Sequence, residues 1–297
     1  MGKKVIKVGM HKMGSSTFYG FFYAFKFLFD RYTFVDSADP DFLFCGNTVP
    51  RNNKINIFYT NEAYGADIRN TKWSFGSQLE KTVNNPCYMR QPYYVRLGAG
   101  ADLIKDISDP YAVLKQKTKF CNFIYNHPVP IRSAFFHALE KYKPVDSPGS
   151  VCQNMPPIGL HADAYESRFG LATDPFKEKL QFIQPYKFTI AFNNVNFPGY
   201  TDEKIYHPML VNSIPIFWGN PHVNIDFNTR SFINAHDKEF STKKDMFDYL
   251  ISRIIELDKD DDKYVLMLKE PWYPNNTITP AVDPQRILNR FTQIFGT

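Results

Sequence analysis

Three short stretches of this chain carry side chains able to do chemistry. In "KINIFYTNE" a carboxylate, Glu62, stands just past a strand-like run. A carboxylate facing a cleft at a strand end can act as a general base once partial burial lifts its pKa toward neutrality. The plain alternative is a solvated turn residue. In "HPVPIRSAFF" Arg132 opens a helix pattern after a proline turn. A guanidinium there can fork onto phosphate oxygens beside a helix N-terminus, which itself favours anions. The plain alternative is a surface arginine paired with a carboxylate. In "FPGYTDEKIYHPMLVNSIPIFWGNP" Asp202 can cap a helix that starts at Glu203. Lys204 then falls in the first turn, where the dipole favours Glu203 and disfavours a cation. A misplaced cation calls for a compensating anion. A pyrophosphate would supply one, with Glu203 accepting from a ribose diol. The plain alternative is a lysine that snorkels into solvent beside a dipole-friendly glutamate.

Other signals carry less. Asp39-Pro40-Asp41 and Asp260-Asp261-Asp262 match an Asp-x-Asp metal pattern. The first precedes its strand, at the wrong end of a parallel sheet. The second lies in a polar turn, placed to cap the next helix. The histidines show no HxxxH or HxH spacing, so no zinc site is expected. Gly14-Ser15-Ser16 precedes a helix but lacks the Walker Lys-Ser/Thr pair.

The elements that must position these residues alternate. A short strand is expected over 3–10, then a helix whose apolar face is Phe18, Phe21, Phe22, Phe25 and Phe29. A strand follows in "NKINIFYTNE", ending at Asn61-Glu62. Periodicity is lost and charge rises over 100–118, which places a domain boundary near 113–118. Alternation resumes with a strand at 119–125, a helix at 131–142 and a Pro/Gly-rich loop at 147–159. Asp174-Pro175 should open a helix. Strands are expected at 186–192 and 213–219, and helices at 241–257 and 284–295. Pro208 inside the short helix after Asp202 should leave the Lys204 carbonyl unpaired, with a kink or a frayed first turn. The fold class is therefore α/β, with two halves (1–115 and 116–297) flanking a cleft. In open parallel sheets ligands bind outside the C-terminal strand ends, which is where Glu62, Arg132 and Glu203–Lys204 fall.

Composition narrows the partners. The 297 residues carry 35 Lys+Arg against 30 Asp+Glu, a mild excess of +5 that suits an anionic small molecule. No basic block or nucleic-acid motif accompanies it, so nucleic acid is not an expected partner. Cys45, Cys87, Cys121 and Cys152 sit far apart without a CxxC, as reduced thiols of a cytosolic protein would. The longest apolar run, 18–29, is interrupted by Lys26 and too short to span a bilayer.

Six ordered segments give the chain a family resemblance. They are "DPDFLFCG", "INIFYTNE", "YMRQPYY", "CNFIYNHPVPIRSAFFHALEKYKPVDSPGSV", "KFTIAFNNVNFPGYTDEKI" and "NSIPIFWGNPHV". With its Gly-Tyr-x-x-Glu-Lys core, the chain resembles the α1,3/4-fucosyltransferases, which use GDP-fucose and have the GT-B fold of two Rossmann-like domains facing a central cleft. The resemblance implies Glu62 as general base. It implies Arg132 on the donor phosphates, Asn194 against the nucleotide, and Tyr200, Glu203 and Lys204 on the donor. Tyr64 and Trp73 stand where an acceptor sugar could stack, in the part where the resemblance is thinnest. It further implies inverting transfer of fucose to a GlcNAc or Glc hydroxyl of an oligosaccharide, in α1,3 linkage, with no cofactor or metal required and a divalent cation at most stimulatory. A GT-B enzyme using another GDP-sugar, or a non-catalytic glycan-binding protein, is the alternative. A cytoplasmic enzyme of bacterial or viral type is expected, or a Golgi-lumenal one if the sequence is a shortened one. The last helix can cross back to brace the first domain, as tails of this fold do. Three departures stand out. Asn193-Asn194 replaces Glu-Asn, removing a negative charge near the nucleotide. Asp202 replaces a threonine. Asn61-Glu62-Ala63 replaces Gly-Glu-Asn beside the acceptor.

Overall fold

A computed structural model describes residues 2–66, 68–98, 100–158 and 177–297. Strand β1 (Lys4–His11) and helix α1 (Ser15–Ala24) open the chain, followed by β2 (Tyr32–Asp36), β3 (Phe42–Cys45), β4 (Ile55–Tyr59) and β5 (Trp73–Gly76). A one-turn helix α2 (Glu80–Val83) leads into β6 (Tyr88–Arg90), and α3 (Pro110–Gln116) separates these strands from the second half. That half runs β7 (Lys119–Asn122), α4 (Pro130–Leu139), β8 (Val145–Asp146), α5 (Lys177–Ile183), β9 (Tyr186–Phe192), α6 (Glu203–Leu210), β10 (Ile214–Trp218) and β11 (Ile233–Asn234). It closes with α7 (Lys243–Lys259), α8 (Asp261–Lys269) and α9 (Pro284–Phe295).

Two wholly parallel sheets result, of order β2-β1-β3-β4-β5-β6 and β11-β10-β9-β7-β8. The sequence is therefore α/β throughout, with two Rossmann-like sheets. Parallel pairing puts all C-terminal strand ends of a sheet along one edge, and it is there that the chain leaves each strand for a loop.

The aromatic run after β1 does not make one helix as far as Phe29. It ends at Ala24, because Phe25 leaves helical dihedrals (φ −116°, ψ 45°) and a 3-10 turn covers Lys26–Asp30. The break aims both halves at one core. Phe21 meets Phe44, Tyr59 and Phe291, while Phe22 and Phe29 both meet Phe34. Helix α9 packs under the first sheet from the other end of the chain. Phe291 stacks on Phe75, and Phe295 lies against Tyr32 and Phe42. The first core also takes in Ile205, Tyr206 and Met209 of α6, so the two sheets share apolar packing. A separate core under the second sheet gathers Phe135, Phe188, Leu250 and Tyr264.

The N-cap expected at Asp174 lies outside the described residues. Helix α6 runs unbroken through Pro208, and its first turn is held, Asp202 accepting from the Lys204 amide at 3.1 Å. Pro208 sits late enough that only the one bond to Lys204 is forfeited. Its own carbonyl takes the Ser213 amide at 2.9 Å. Asp260 caps α8 through the Lys263 amide at 3.0 Å, and Asp39 pairs with Lys54. No helix among the described residues is long and apolar enough to cross a membrane.

Candidate active site

Arg132 enters from the first turn of α4 and is buried rather than fanned into solvent. Its Nε donates to the Phe192 carbonyl at 3.0 Å, Nη2 to Asn194 Oδ1 at 2.9 Å and Nη1 to the His127 carbonyl at 3.4 Å. The guanidinium lies 4.3 Å over the Tyr125 ring. With five N–H groups on a guanidinium, the described residues leave one on each terminal nitrogen for an anion. Asn194 holds Arg132 with its oxygen and leaves its amide nitrogen at the surface.

Lys204 finds its counter-charge at home. Its Nζ lies 2.8 Å from Asp202 Oδ2 and 2.8 Å from Glu203 Oε1. An external anion is therefore not needed to explain a lysine at this helix start, because the capping aspartate and its neighbour supply two carboxylates. Burial would lower the Lys204 pKa, but Asp202 and Glu203 outweigh it and hold the ammonium well above its usual range. Burial raises Asp202 in spite of the lysine. Burial would also raise Glu203, but Lys204 and Lys179 pull it well below the usual carboxylate range. Burial presses Lys179, on α5, below its ordinary value. Among the described residues Asp202 and Glu203 face Lys179 and Lys204, and Arg132 adds a further positive charge.

Tyr200 joins this cluster and links it to the first sheet. Buried and raised in pKa by desolvation, it lies within electrostatic reach of Asp202, Lys204, Glu203 and Glu62. Tyr125 similarly senses Arg132, Lys204 and Asp202. The structure thus brings Arg132, Asn194, Tyr200, Glu203 and Lys204 together, with Glu62 within electrostatic reach of Tyr200. Glu62 is exposed in the loop after β4, its amide bonded to Thr60 Oγ1 at 3.2 Å. Tyr64, in the same loop, is 40% exposed and lines a 440 Å³ cavity with Phe58, Ala66 and Arg69. Trp73 is not brought to Tyr64. As first residue of β5 it stands at the opposite end of its strand from this loop, buried with Arg290 over its ring at 5.3 Å.

Asn193 is fully buried, and its Nδ2 donates to the Tyr200 carbonyl at 3.1 Å, a bond that a carboxylate at this position could not make. A larger cavity of 690 Å³ opens beside α4, lined by Ile131, Asn196, Trp218 and His236.

One group of site-shaping residues went unread in the sequence. Arg90, at the end of β6, is buried against Asp226, with Nη1–Oδ1 at 2.8 Å and Nη2–Oδ2 at 2.7 Å. Nη2 also reaches the Gly199 carbonyl at 2.6 Å. The Tyr94 and Thr201 hydroxyls donate to the same carboxylate at 3.1 and 2.7 Å, and the Gly199 amide donates to Asn220 at 2.7 Å. The loop that carries Tyr200 is thereby tied to the first sheet. Gly199 has φ +93°, and a Cβ there would collide with the Ser77 carbonyl. The only trace of this in the sequence was the arginine of "YMRQPYY", and nothing local marks its partner.

Comparison with known proteins shows what the chain is similar to. Residues 114–283 match the family model for the C-terminal part of glycosyltransferase family 10 (fucosyltransferase). The chain is 30% identical over 267 residues to an α-(1,3)-fucosyltransferase of Helicobacter pylori, covering 75% of this chain and 52% of that protein. It is 31% identical over 121 residues to α-(1,3)-fucosyltransferase B of Drosophila melanogaster, covering 40% and 26% respectively. The chain spans about a quarter to a half of the length of the curated relatives it matches. A crystal structure of an α1,3-fucosyltransferase with GDP superposes with a TM-score of 0.76 at 26% identity, covering 100% of this chain and 92% of that one.

Proposed function

Since the chain belongs to glycosyltransferase family 10, the fucosyltransferases, we propose that it transfers L-fucose from GDP-β-L-fucose to a GlcNAc or Glc hydroxyl of an oligosaccharide, with inversion and in α1,3 linkage. The observation that supports this best is the grouping of Arg132, Asn194, Tyr200, Glu203 and Lys204 at the C-terminal edge of one parallel sheet, facing Glu62 at the same edge of the other. A donor held by the first group presents its anomeric carbon toward the carboxylate.

In this reaction the acceptor oxygen attacks the anomeric carbon as the bond to the diphosphate oxygen breaks. The hydroxyl proton passes to Glu62, and GDP leaves with the bonding pair. Such a base contributes about 100- to 10,000-fold in rate. The two uncommitted N–H groups of Arg132 and the ammonium of Lys204 meet the charge that grows on the departing diphosphate. Glu203 keeps one carboxylate oxygen on Lys204 and turns the other to the ribose diol. Asn194 and Tyr200 complete the donor contacts. The acceptor approaches over the Tyr64 cavity, and positioning across the cleft supplies much of the remaining rate.

Glu62→Gln should keep GDP affinity and lose turnover by at least about 100-fold, read by GDP release with type 1 and type 2 lactosamine acceptors. Wild-type turnover in that variant would remove Glu62 as the base. A donor panel that includes GDP-mannose, with the acceptor fixed, tests the sugar.

A further inference from the structure

The ends of β4, β5 and β6 carry a pattern that the proposed mechanism does not use. The strands pair in parallel register, Tyr59 opposite Phe75 and Phe75 opposite Met89. These three form one apolar row on the face covered by α1 and α9, where Phe21 meets Tyr59 and Phe291 meets Phe75. The ladder continues past the strands, with the Thr60 amide bonded to the Phe75 carbonyl at 3.1 Å and the Gln91 amide to the Gly76 carbonyl at 2.7 Å. Two residues beyond the apolar row, side chains return to the same face. The residues there are Asn61, Ser77 and Gln91.

All three are buried, at 3%, 0% and 2% exposure. Yet Asn61 Nδ2, Ser77 Oγ and both polar atoms of the Gln91 amide have no hydrogen-bond partner among the described residues. For Gln91 this holds whichever way the amide is turned. Buried polar groups are paired in the great majority of cases, and an unpaired one is costly. Three in register on neighbouring strands, with Asn61 next to Glu62 in the chain, form a buried polar layer with open valences at the C-terminal edge of the first sheet. The segment that carries Tyr200 lies over this edge. Gly199 abuts the Ser77 carbonyl, and the Tyr94 amide donates to the Thr201 carbonyl at 3.2 Å.

We propose that Asn61, Ser77 and Gln91 form a reading row for the acceptor, taking the hydroxyl or acetamido edge of the sugar whose hydroxyl faces Glu62. The chemistry matches. Gln91 offers a donor and an acceptor, Ser77 either, and Asn61 an N–H, which is what a ring bearing hydroxyl and amide groups requires. The row is covered in this structure, and the acceptor gains it only as the Gly199–Thr201 segment, held by Arg90 and Asp226, loosens. This rests on the transferase reading above.

The test is steady-state kinetics on Gln91→Leu and Ser77→Ala with type 1 and type 2 lactosamine disaccharides, together with thermal unfolding of the free proteins. Each substitution should raise the acceptor KM about tenfold, with a much smaller change in the KM for GDP-fucose. The unfolding temperature of Gln91→Leu should hold or rise, since an unpaired buried amide is replaced by an apolar group of similar size. An unchanged acceptor KM overturns the row. So does a marked fall in unfolding temperature, which would show that the amide has a structural partner. Wild-type protein that releases no GDP from GDP-fucose with any acceptor overturns the transferase reading instead.

Discussion

Lys204, Asp202, Glu203 and Lys179 form a charge-balanced knot at the start of α6, and His207 is buried one turn further on. Burial, with Lys179 and Lys204 close by, holds His207 well below its usual pKa, against the pull of Glu203. A depressed base favours the folded chain only while it stays neutral. The stability it contributes is full above about pH 6.5 and falls as the pH drops below that, by up to about 1.4 kcal/mol per pH unit. Thermal unfolding scanned from pH 7 to pH 5 should show this fall, and His207→Gln should flatten it. An equally steep fall in the variant would place the sensitivity elsewhere. The sequence showed Lys204 as a cation on the wrong helix end, which is correct for the dipole. What it did not show is that an N-cap aspartate can serve two donors, holding a backbone amide with one oxygen and a lysine with the other.

At the scale of elements, the loop from Phe197 to Asp202 does little without β6. Arg90 grips both its Gly199 carbonyl and the buried Asp226 beyond it. Removing one partner of such a pair leaves a stranded charge and costs about 3–5 kcal/mol. Arg90→Met should therefore lower the denaturant midpoint, and adding Asp226→Leu should recover part of the loss. If the double variant were no more stable than the single one, the pair would not be what holds the loop. The alternation of strands and helices was legible because apolar runs and N-caps are local signals. So were the positions of Glu62, Arg132 and Glu203, since each follows a strand or opens a helix. The Arg90–Asp226 pair was not, because its members lie far apart in the chain and neither has a local pattern. The Asn61–Ser77–Gln91 row escaped for a related reason: three unremarkable polar residues align only once the strand register is known.

At the scale of the molecule, the two sheets are not independent. The first core is closed by α9, whose Phe291 lies between Phe21, Phe25 and Phe75. Phe291→Ala should cost about 3–5 kcal/mol, read as a lowered unfolding midpoint. A variant as stable as the parent would show that α9 merely rests on the first sheet. Gathering residues from both ends of the chain into one core also sets the order of events at the ribosome. The phenylalanines of α1 and β5 emerge early, yet their last neighbour is made only after the entire second sheet. Until residue 291 leaves the exit tunnel, the nascent chain carries an open, aromatic half-core of the kind that chaperones hold and aggregates form on. Completion of the first half therefore waits for synthesis of the second, however early its own strands were made.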